Sequence, residues 1–180
     1  MLRPRRGAVW GLTFEADGTQ LLVGTKPADA AGLLVRVDLR TEVDTPVHLA
    51  RRTLPVRVAT FSPDGKTLAT NDGAAAVLLD WPSGRARRIL RVPGQPADTP
   101  LTAAAFSPDG RWLAAGGYDG VRVWDLRADG PPVTLADVSS GKSEGLVFAA
   151  RGEFLVSAQK TNGADSESPN GLMIWTVPAG

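Results

Sequence analysis

The sequence contains no cysteine and a single histidine, His48. A chain without thiols has no disulfides, no cysteine-ligated zinc or iron–sulfur cluster and no thiol nucleophile, and one imidazole cannot form a multi-histidine metal site. The chain also lacks an excess of charge of either sign, because its 20 Lys and Arg nearly balance its 19 Asp and Glu, for a net charge of +1. This balance gives no overall attraction to nucleic acid or to an anionic membrane. The composition therefore predicts no metal, no cofactor, no nucleic-acid partner and no membrane partner.

Long apolar runs are missing as well. No run approaches the roughly 20 residues that a transmembrane helix needs. The stretch after the basic N-terminus, residues 7–14, is too short and too interrupted by Gly and Thr to be the apolar part of a signal peptide. We therefore expect a cytoplasmic protein. Gly and Pro are abundant, with 20 and 14 residues, which indicates many turns and short strands.

A five-residue pattern that begins with Phe occurs four times in the 180 residues. The second and third copies read Phe-Ser-Pro-Asp-Gly, the first reads Phe-Glu-Ala-Asp-Gly and the fourth reads Phe-Ala-Ala-Arg-Gly. We number each copy from its Phe, which is Phe14, Phe61, Phe106 or Phe148. Gly occupies +4 and Leu occupies +7 in every copy, and positions −2 and +8 are always apolar. Such agreement at a spacing of 42 to 47 residues indicates an internal repeat.

Each repeat predicts a strand, a tight turn and a second strand. Apolar residues at −2 and 0, and at −5 in three copies, precede the turn, and an apolar run follows it. Asp accepts hydrogen bonds from its own turn, and Gly adopts a positive φ without steric cost. Third strands are predicted at 33–39, 75–81, 121–126 and 172–177, and fourth strands at 46–49, 87–92 and 133–136. No sustained 3.6-residue apolar period predicts a long helix.

The third copy continues to Tyr118-Asp119-Gly120 and ends in Val123-Trp124-Asp125. Four short strands in a unit that ends near Trp-Asp resemble the WD40 repeat of β-propellers, and the Phe-Ser-Pro-Asp-Gly form looks like the bacterial branch of that family. The resemblance extends from about Ala8 to Val177. It implies an all-β partial propeller of four four-stranded blades, the last lacking its outer strand. The single domain, 1–180, then divides into approximate blades at 8–50, 55–93, 100–136 and 143–178.

The sequence departs from the family in the Gly-His pair that opens each repeat, which is absent from every copy. His48 lies 13 residues before Phe61, a few residues too early to take that place. The family's buried His–Ser/Thr–Asp–Trp network therefore cannot be complete. We interpret Asp72 and Asp119 as turn residues and not as members of that network.

Four blades are fewer than the seven or eight with which WD40 propellers usually close, so two terminal blade faces are expected to be exposed. The chain is then a fragment with further blades upstream, an open half-ring that assembles with another half, or a decayed relic. Residues 1–91 carry a net charge of +5 and residues 92–180 carry −4. This partition favours self-association through the terminal blades in a head-to-tail pair. Alternatively, the imbalance lies in solvated loops.

The resemblance implies a non-enzymatic scaffold that presents rigid loops to a protein or peptide partner. The alternative is a ligand-sensing or enzymatic propeller domain of a larger protein, with polar groups converging on the central channel. The first strands offer only the following residues toward that channel: Leu12, Thr13, Arg57, Thr60 and Ala103 to Ala105. The absence of a carboxylate or histidine among them disfavours the alternative.

The candidate partner-binding residues lie in loops. Arg51, Arg52 and Arg57 enter the first strand of the second blade, where they suit an acidic peptide. Insertions at 26–32 and 160–170 lengthen the terminal blades on one face, which is typical of a binding face but also of simple length drift. They add the following candidates: Lys26, Lys160, Asp165 and Glu167.

Four other patterns are weaker signals. Residues 136–143 fit a relaxed P-loop spelling, but Glu144 and the residues after it align with a first strand and not with the helix that a P-loop needs. His48 has no nucleophile motif beside it, and Asp165-Ser166-Glu167 matches no calcium loop. An arginine cluster at 85–91 falls on an outer strand, where charge blocks edge-to-edge pairing.

Overall fold

The structure is a computed structural model of the 180-residue chain. It describes residues 8–26, 33–47, 56–96, 99–135, 141–161 and 171–177. Within these ranges the regular structure is entirely β, with fifteen strands in four antiparallel sheets. The described part of the chain accordingly holds no helix of the length and apolarity needed to span a membrane.

Each sheet is one blade and corresponds to one sequence repeat. Blade 1 consists of β1 (Ala8–Phe14), β2 (Gln20–Lys26), β3 (Leu33–Asp38) and β4 (Asp44–Val47). Blade 2 consists of β5 (Ala59–Phe61), β6 (Thr67–Asp72), β7 (Ala75–Asp80) and β8 (Arg85–Leu90). Blade 3 consists of β9 (Leu101–Phe106), β10 (Trp112–Gly117), β11 (Gly120–Asp125) and β12 (Val133–Leu135). Blade 4 consists of β13 (Gly141–Phe148), β14 (Phe154–Thr161) and β15 (Gly171–Thr176).

Successive strands are hydrogen-bonded neighbours, so every blade is an antiparallel meander. The predicted all-β class and the four-blade propeller arrangement are confirmed, and the described part of blade 4 has three strands. The predicted bounds of the fourth strands differ from those in the structure. In blades 1 and 2 they begin at Asp44 and Arg85, two residues before the predicted starts.

The turn between the first two strands has the geometry that its residues predict. The glycines at +4 have φ values of 67°, 69°, 69° and 76° in blades 1 to 4. In the first three blades an Asp carboxylate accepts the backbone N–H two residues later, at 2.9 to 3.1 Å. The side chain of Asp109 also accepts the Ser107 hydroxyl proton, and this bond holds the pKa of Asp109 below its usual range. The turn thus fixes how β1, β5 and β9 pair with the strands that follow.

Most of the apolar core lies between blades; a fourth, smaller cluster of Val23, Val35 and Val37 belongs to blade 1 alone. Three clusters join blade 1 to 2, blade 2 to 3 and blade 3 to 4. In each cluster, positions −2 and 0 of the later blade meet the third strand of the earlier blade. Between blades 1 and 2, for example, Leu34 packs in one cluster with Ala59 and Phe61. Stacking of blades is therefore what removes apolar surface from water.

Only parts of the family's buried polar network are present in the described residues. Trp175 Nε1 donates to the Ser157 hydroxyl at 3.0 Å, which corresponds to one step of that network. Asp119 lies in the turn between β10 and β11 and accepts from Arg122 Nη2 at 3.1 Å. In blade 2, the buried Asn71 accepts two backbone N–H groups at the entrance to β5.

Candidate binding site at the propeller axis

The entrances of the four innermost strands converge on one pocket of about 200 Å³, which we call the axial pocket. Its lining residues are Trp10, Arg57, Thr102, Lys142 and Glu144. Four of these five occupy position −4 of their repeats, one from each blade, and Lys142 lies at −6. The same column of the repeat thus supplies an indole, a guanidinium, a hydroxyl and a carboxylate to a shared space.

A β-bulge in the innermost strand aims three of these side chains. The pairing of β1 with β2 shifts register between Val9 and Gly11, which leaves Trp10 as the extra residue. The pairing of β9 with β10 passes over Thr102 in the same way, and that of β13 with β14 passes over Glu144. A bulge puts an unpaired residue on the strand and redirects its side chain. The pocket lining therefore follows from a backbone feature that three blades share.

In blade 2 the buried Asn71 replaces the bulge. Its Oδ1 accepts the backbone N–H groups of Arg57 and Val58, at 2.8 and 3.0 Å, just before β5 begins. These bonds fix the backbone that carries the Arg57 side chain. The Arg57 guanidinium lies over the Trp10 ring, 4.1 Å from its centroid, in a cation–π contact between blades 1 and 2.

Lys142 and Glu144 form an ion pair on the fourth side of the pocket, with Nζ 3.0 Å from Oε1. Lys160 pairs with Lys142 across the β13–β14 ladder and adds a second positive charge. The hydrogen bond from Lys142, its charge and the charge of Lys160 together hold the pKa of Glu144 below its usual range. The Glu144 carboxylate is therefore ionised at neutral pH, and the two cationic side chains of Lys142 and Lys160 stand against its single negative charge.

Thr102 joins blade 3 to blade 4 beside this ion pair. Its hydroxyl donates to the backbone carbonyl oxygen of Ser143, the residue that precedes Glu144. Ser143 is fully buried against Gly116 of blade 3. The rim of the axial pocket is thus held across the blade 3–blade 4 boundary by direct contacts.

The expectation that the inner strands offer no carboxylate is wrong, because Glu144 belongs to β13 and lines the axial pocket. One of the predicted binding residues lies at this pocket, and a second lies near it. Arg57 lines the pocket, and Lys160 lies close enough to Glu144 to influence its pKa. Lys26 ends β2, opposite Ala8 in the strand pairing. The remaining predicted binding residues lie outside the described residues: Arg51, Arg52, Asp165 and Glu167.

The structure describes part of the P-loop spelling but neither His48 nor the acidic loop segment. Gly141, Lys142 and Ser143 begin a strand, so the described end of the P-loop spelling has no following helix. His48 lies outside the described residues, as does the Asp165–Glu167 segment. In the part of the chain that the structure describes, no three His, Asp or Glu side chains group in a way that would hold a metal ion.

The arginine cluster on β8 does more than shield a strand edge. Arg88 reaches from blade 2 to blade 3, where it donates to the carbonyl oxygen of Ala128 at 2.7 Å and pairs with Asp129 at 3.0 Å. A second cavity of about 500 Å³ lies in this cleft between blades 2 and 3. Its lining is mixed in charge, with Arg87 and Arg127 as well as Asp64 and Asp109. The contacts of Arg88 join blades 2 and 3, which gives this member of the arginine cluster a structural role.

Comparisons with known proteins agree with this architecture. A family model described as "WD domain, G-beta repeat" matches residues 87–125. The matched segment starts in β8 of blade 2 and ends at Trp124-Asp125 of blade 3. A search of curated protein sequences finds no match.

Among solved structures, 939 chains match. One is hydrazine synthase of Kuenenia stuttgartiensis, with a TM-score of 0.67 at 19% sequence identity. The match covers 90% of this chain and 45% of that one, so the chain spans less than half of that protein's length. At this identity the likeness concerns the fold alone. The chain carries a WD40 repeat at residues 87–125 and arranges its four sheets as blades of a β-propeller.

Proposed function

We propose that the chain is a non-enzymatic scaffold that binds an acidic segment of a protein partner at the axial pocket. The observation that carries this proposal is the convergence of Arg57 and Lys142 beside the Trp10 ring. Lys160 adds positive charge at the same end of blade 4. A guanidinium and an ammonium held on separate rigid blades suit a carboxylate side chain, because charge-assisted hydrogen bonds are stronger than neutral ones. Blades held by bulges and inter-blade packing lose little conformational entropy when a partner binds.

The chemistry of Glu144 supports binding rather than catalysis. Its pKa is lowered by the ion pair with Lys142 and by the charge of Lys160, which makes the carboxylate a weak base and a poor proton donor near neutral pH. An ionised Glu144 instead restricts what enters the pocket. It competes with an incoming carboxylate for Lys142 and so selects segments with enough negative charge to displace it.

The test is a titration with two peptides, one rich in Asp and Glu and one in which Asn and Gln replace them. The acidic peptide is expected to bind more tightly, with an affinity that falls as salt is added. Arg57→Gln and Lys142→Met should each weaken its binding by about tenfold, the value of one charge-assisted contact. Glu144→Gln should strengthen it, because the competing charge is removed.

Arg151→Gln is the matched control, since Arg151 is exposed and lies in the turn at the opposite end of β13. Equal binding of the two peptides, or equal effects of Arg57→Gln and Arg151→Gln, would contradict the proposal. Binding of a free small dicarboxylate as tightly as the peptide would favour the alternative of a ligand-sensing propeller.

A further inference from the structure

The cavity of about 500 Å³ between blades 2 and 3 lies at the other end of the innermost strands from the axial pocket. The turns that follow β5 and β9 contribute to its lining, whereas the axial pocket lies where the innermost strands begin. We call this cavity the 2–3 cleft. It is defined by Thr67, Leu78, Arg88, Phe106 and Leu126.

Between blades 1 and 2, a tryptophan of the chain itself occupies the equivalent place. Trp81, the residue after β7, packs edge-on against Phe61, with the ring centroids 5.4 Å apart. Its Nε1 donates to Glu15 Oε2 at 3.1 Å, and the Arg36 guanidinium lies 4.9 Å from the centroid of its ring. This place between two blades thus accepts an indole when an aromatic edge, a cation and a carboxylate surround it.

Between blades 3 and 4, a second tryptophan packs from the side of the preceding blade. Trp112, at position +6 of its repeat, packs against the apolar cluster of that interface. The Arg111 guanidinium lies 4.6 Å from the centroid of its ring. Two columns of the repeat, the residue after the third strand and position +6, therefore supply an indole with an arginine over it.

Both columns carry smaller side chains at the 2–3 cleft. Leu126 takes the place of Trp81, since each residue donates its backbone N–H to the carbonyl oxygen at +5 of its own blade. Thr67 holds position +6, which is Trp112 in the next blade. Phe106 takes the place of Phe61 and is half-buried. The 2–3 cleft therefore corresponds to the space that an indole takes in the neighbouring interfaces.

A guanidinium lies at this cleft as it does over the other two rings. Leu78 takes the place of Arg36, because each pairs with position +8 of its own blade. Arg88 pairs with Leu78 in the next strand of the sheet and also lines the cavity. Its Nη2 donates to the carbonyl oxygen of Ala128 at 2.7 Å, which holds the guanidinium across the boundary between the blades.

The 2–3 cleft also offers a carboxylate, as Glu15 does to Trp81. Asp64 lines the cavity, and hydrogen bonds from the Ser62 hydroxyl and the Lys66 backbone N–H hold the pKa of Asp64 below its usual range. The carboxylate is therefore ionised at neutral pH and suits an indole N–H, which donates hydrogen bonds and accepts none.

We propose that the 2–3 cleft binds a tryptophan side chain presented by a segment of a protein partner. Phe106 packs against the ring, the Arg88 guanidinium lies over it and Asp64 accepts its N–H. The argument is charge complementarity, because the electron-rich face of an indole suits a cation and its N–H suits a carboxylate. Arg87 and Arg127 line the cavity and are exposed, so it is open to a side chain that is still attached to a peptide. The proposal stands independently of what binds at the axial pocket.

The first test is a nuclear magnetic resonance titration of the isotope-labelled chain with the peptide Gly-Ser-Trp-Ser-Gly, blocked at both ends. We expect the backbone amide signals of Arg88, Phe106 and Leu126 to shift. The same peptide with Leu in place of Trp should bind about tenfold more weakly, because it offers neither a ring to the arginine nor an N–H to the carboxylate. Equal binding of the two peptides would overturn the proposal, as would shifts confined to the axial pocket.

The second test fills the cleft from within. Leu126→Trp gives blade 3 the residue that blade 2 has at Trp81, so binding of the tryptophan peptide should fall by about tenfold or more. Undiminished binding in a variant whose circular dichroism spectrum matches that of the wild type would refute the assignment to this cleft.

A matched pair on β8 tests the contribution of charge without disturbing the core. Arg87→Gln should weaken binding by about threefold, because it removes an exposed cation from the cavity lining. Arg85→Gln is the control, since Arg85 is exposed on the same strand and does not line the cavity. Equal effects of the two substitutions would count against the proposal.

A last comparison uses N-acetyltryptophan amide. Binding of this small molecule as tightly as the peptide would replace the protein partner by a small aromatic ligand and so overturn the proposal. The tryptophan peptide carries no charge, so its failure to bind would leave the acidic-peptide test of the axial pocket unaffected.

Discussion

Leu34 and Leu172 are the same side chain in the same column of the repeat, and they differ in whether a following blade covers them. Leu34 is 1% exposed and packs in the cluster between blades 1 and 2, whereas Leu172 is 72% exposed. Replacing a buried Leu by Ala costs about 2–5 kcal/mol, because transfer energy is lost and a cavity remains. Burying a whole Leu side chain is worth about 1.5–3 kcal/mol, so the roughly one quarter of Leu172 that is covered contributes about 0.5 kcal/mol.

We therefore expect Leu34→Ala to lower the free energy of unfolding by about 3 kcal/mol and Leu172→Ala by about 0.5 kcal/mol. The assay is urea denaturation followed by tryptophan fluorescence, at a protein concentration low enough to keep the chains monomeric. Equal costs for the two substitutions in the monomer would refute the reasoning that packing between blades is the source of stability.

Two further predictions concern the turns and the inter-blade contacts. Gly116→Ala should destabilise the chain by about 1–3 kcal/mol, because its Cβ would lie 2.7 Å from Ser143 Cβ. Adding Ser143→Gly to the same chain should restore part of the lost stability. Gly130→Ala is the neutral control in the same urea assay, because a Cβ at Gly130 would meet nothing within 4 Å. Turn hydrogen bonds lower the folded-state pKa values of Asp17, Asp64 and Asp109. Their stabilisation is therefore complete above the unfolded pKa of about 3.9 and is lost as the pH falls below it. Urea midpoints should stay level from about pH 7 to 5 and drop below about pH 4, with a shallower drop for Asp109→Asn; a midpoint that rises on acidification would contradict this assignment.

The blades were predictable because the turn and the core columns carry strong local signals. Gly at +4 takes a positive φ in every copy, and the apolar columns fill the space between blades. The fourth strands carry little of this signal, since most of β4 and β8 is exposed and only Val47 and Leu90 of these two strands contact the core clusters. Their predicted bounds were correspondingly shifted, by two residues at the start in both blades.

The axial pocket was predictable only in part. Arg57 and Lys160 were predicted as charges on loops; Arg57 does precede β5, but Lys160 lies in β14, paired with Lys142. Glu144 was aligned with the first strand of blade 4 but not assigned to the pocket, because Ser143 takes the −5 position that is apolar in the other copies and this conceals the bulge at Glu144. Convergence at an axis depends on the relative placement of four blades, and no local pattern encodes that placement.

The unequal spacing of the apolar columns was the one available signal for the bulge. In a regular strand, residues three apart point to opposite faces of the sheet, so −5 and −2 could not both face the preceding blade. With one extra residue between them, positions −5 and −2 face the same side of the sheet, and position −4 is left without a partner in the strand pairing. Val9 and Gly11 flank this point in β1, and Ser143 and Gly145 flank it in β13.

This arrangement separates the work of the two kinds of position. The residues at −5, −2 and 0 are restricted to those that fit between blades, and their columns are almost uniformly apolar. Position −4 faces the axial pocket under no such restriction, and the four blades place Trp10, Arg57, Thr102 and Glu144 there. The chemistry of the pocket can therefore vary without any change in the packing that holds it. Specificity for a partner is accordingly expected in the −4 column, while the columns beside it hold the blades together.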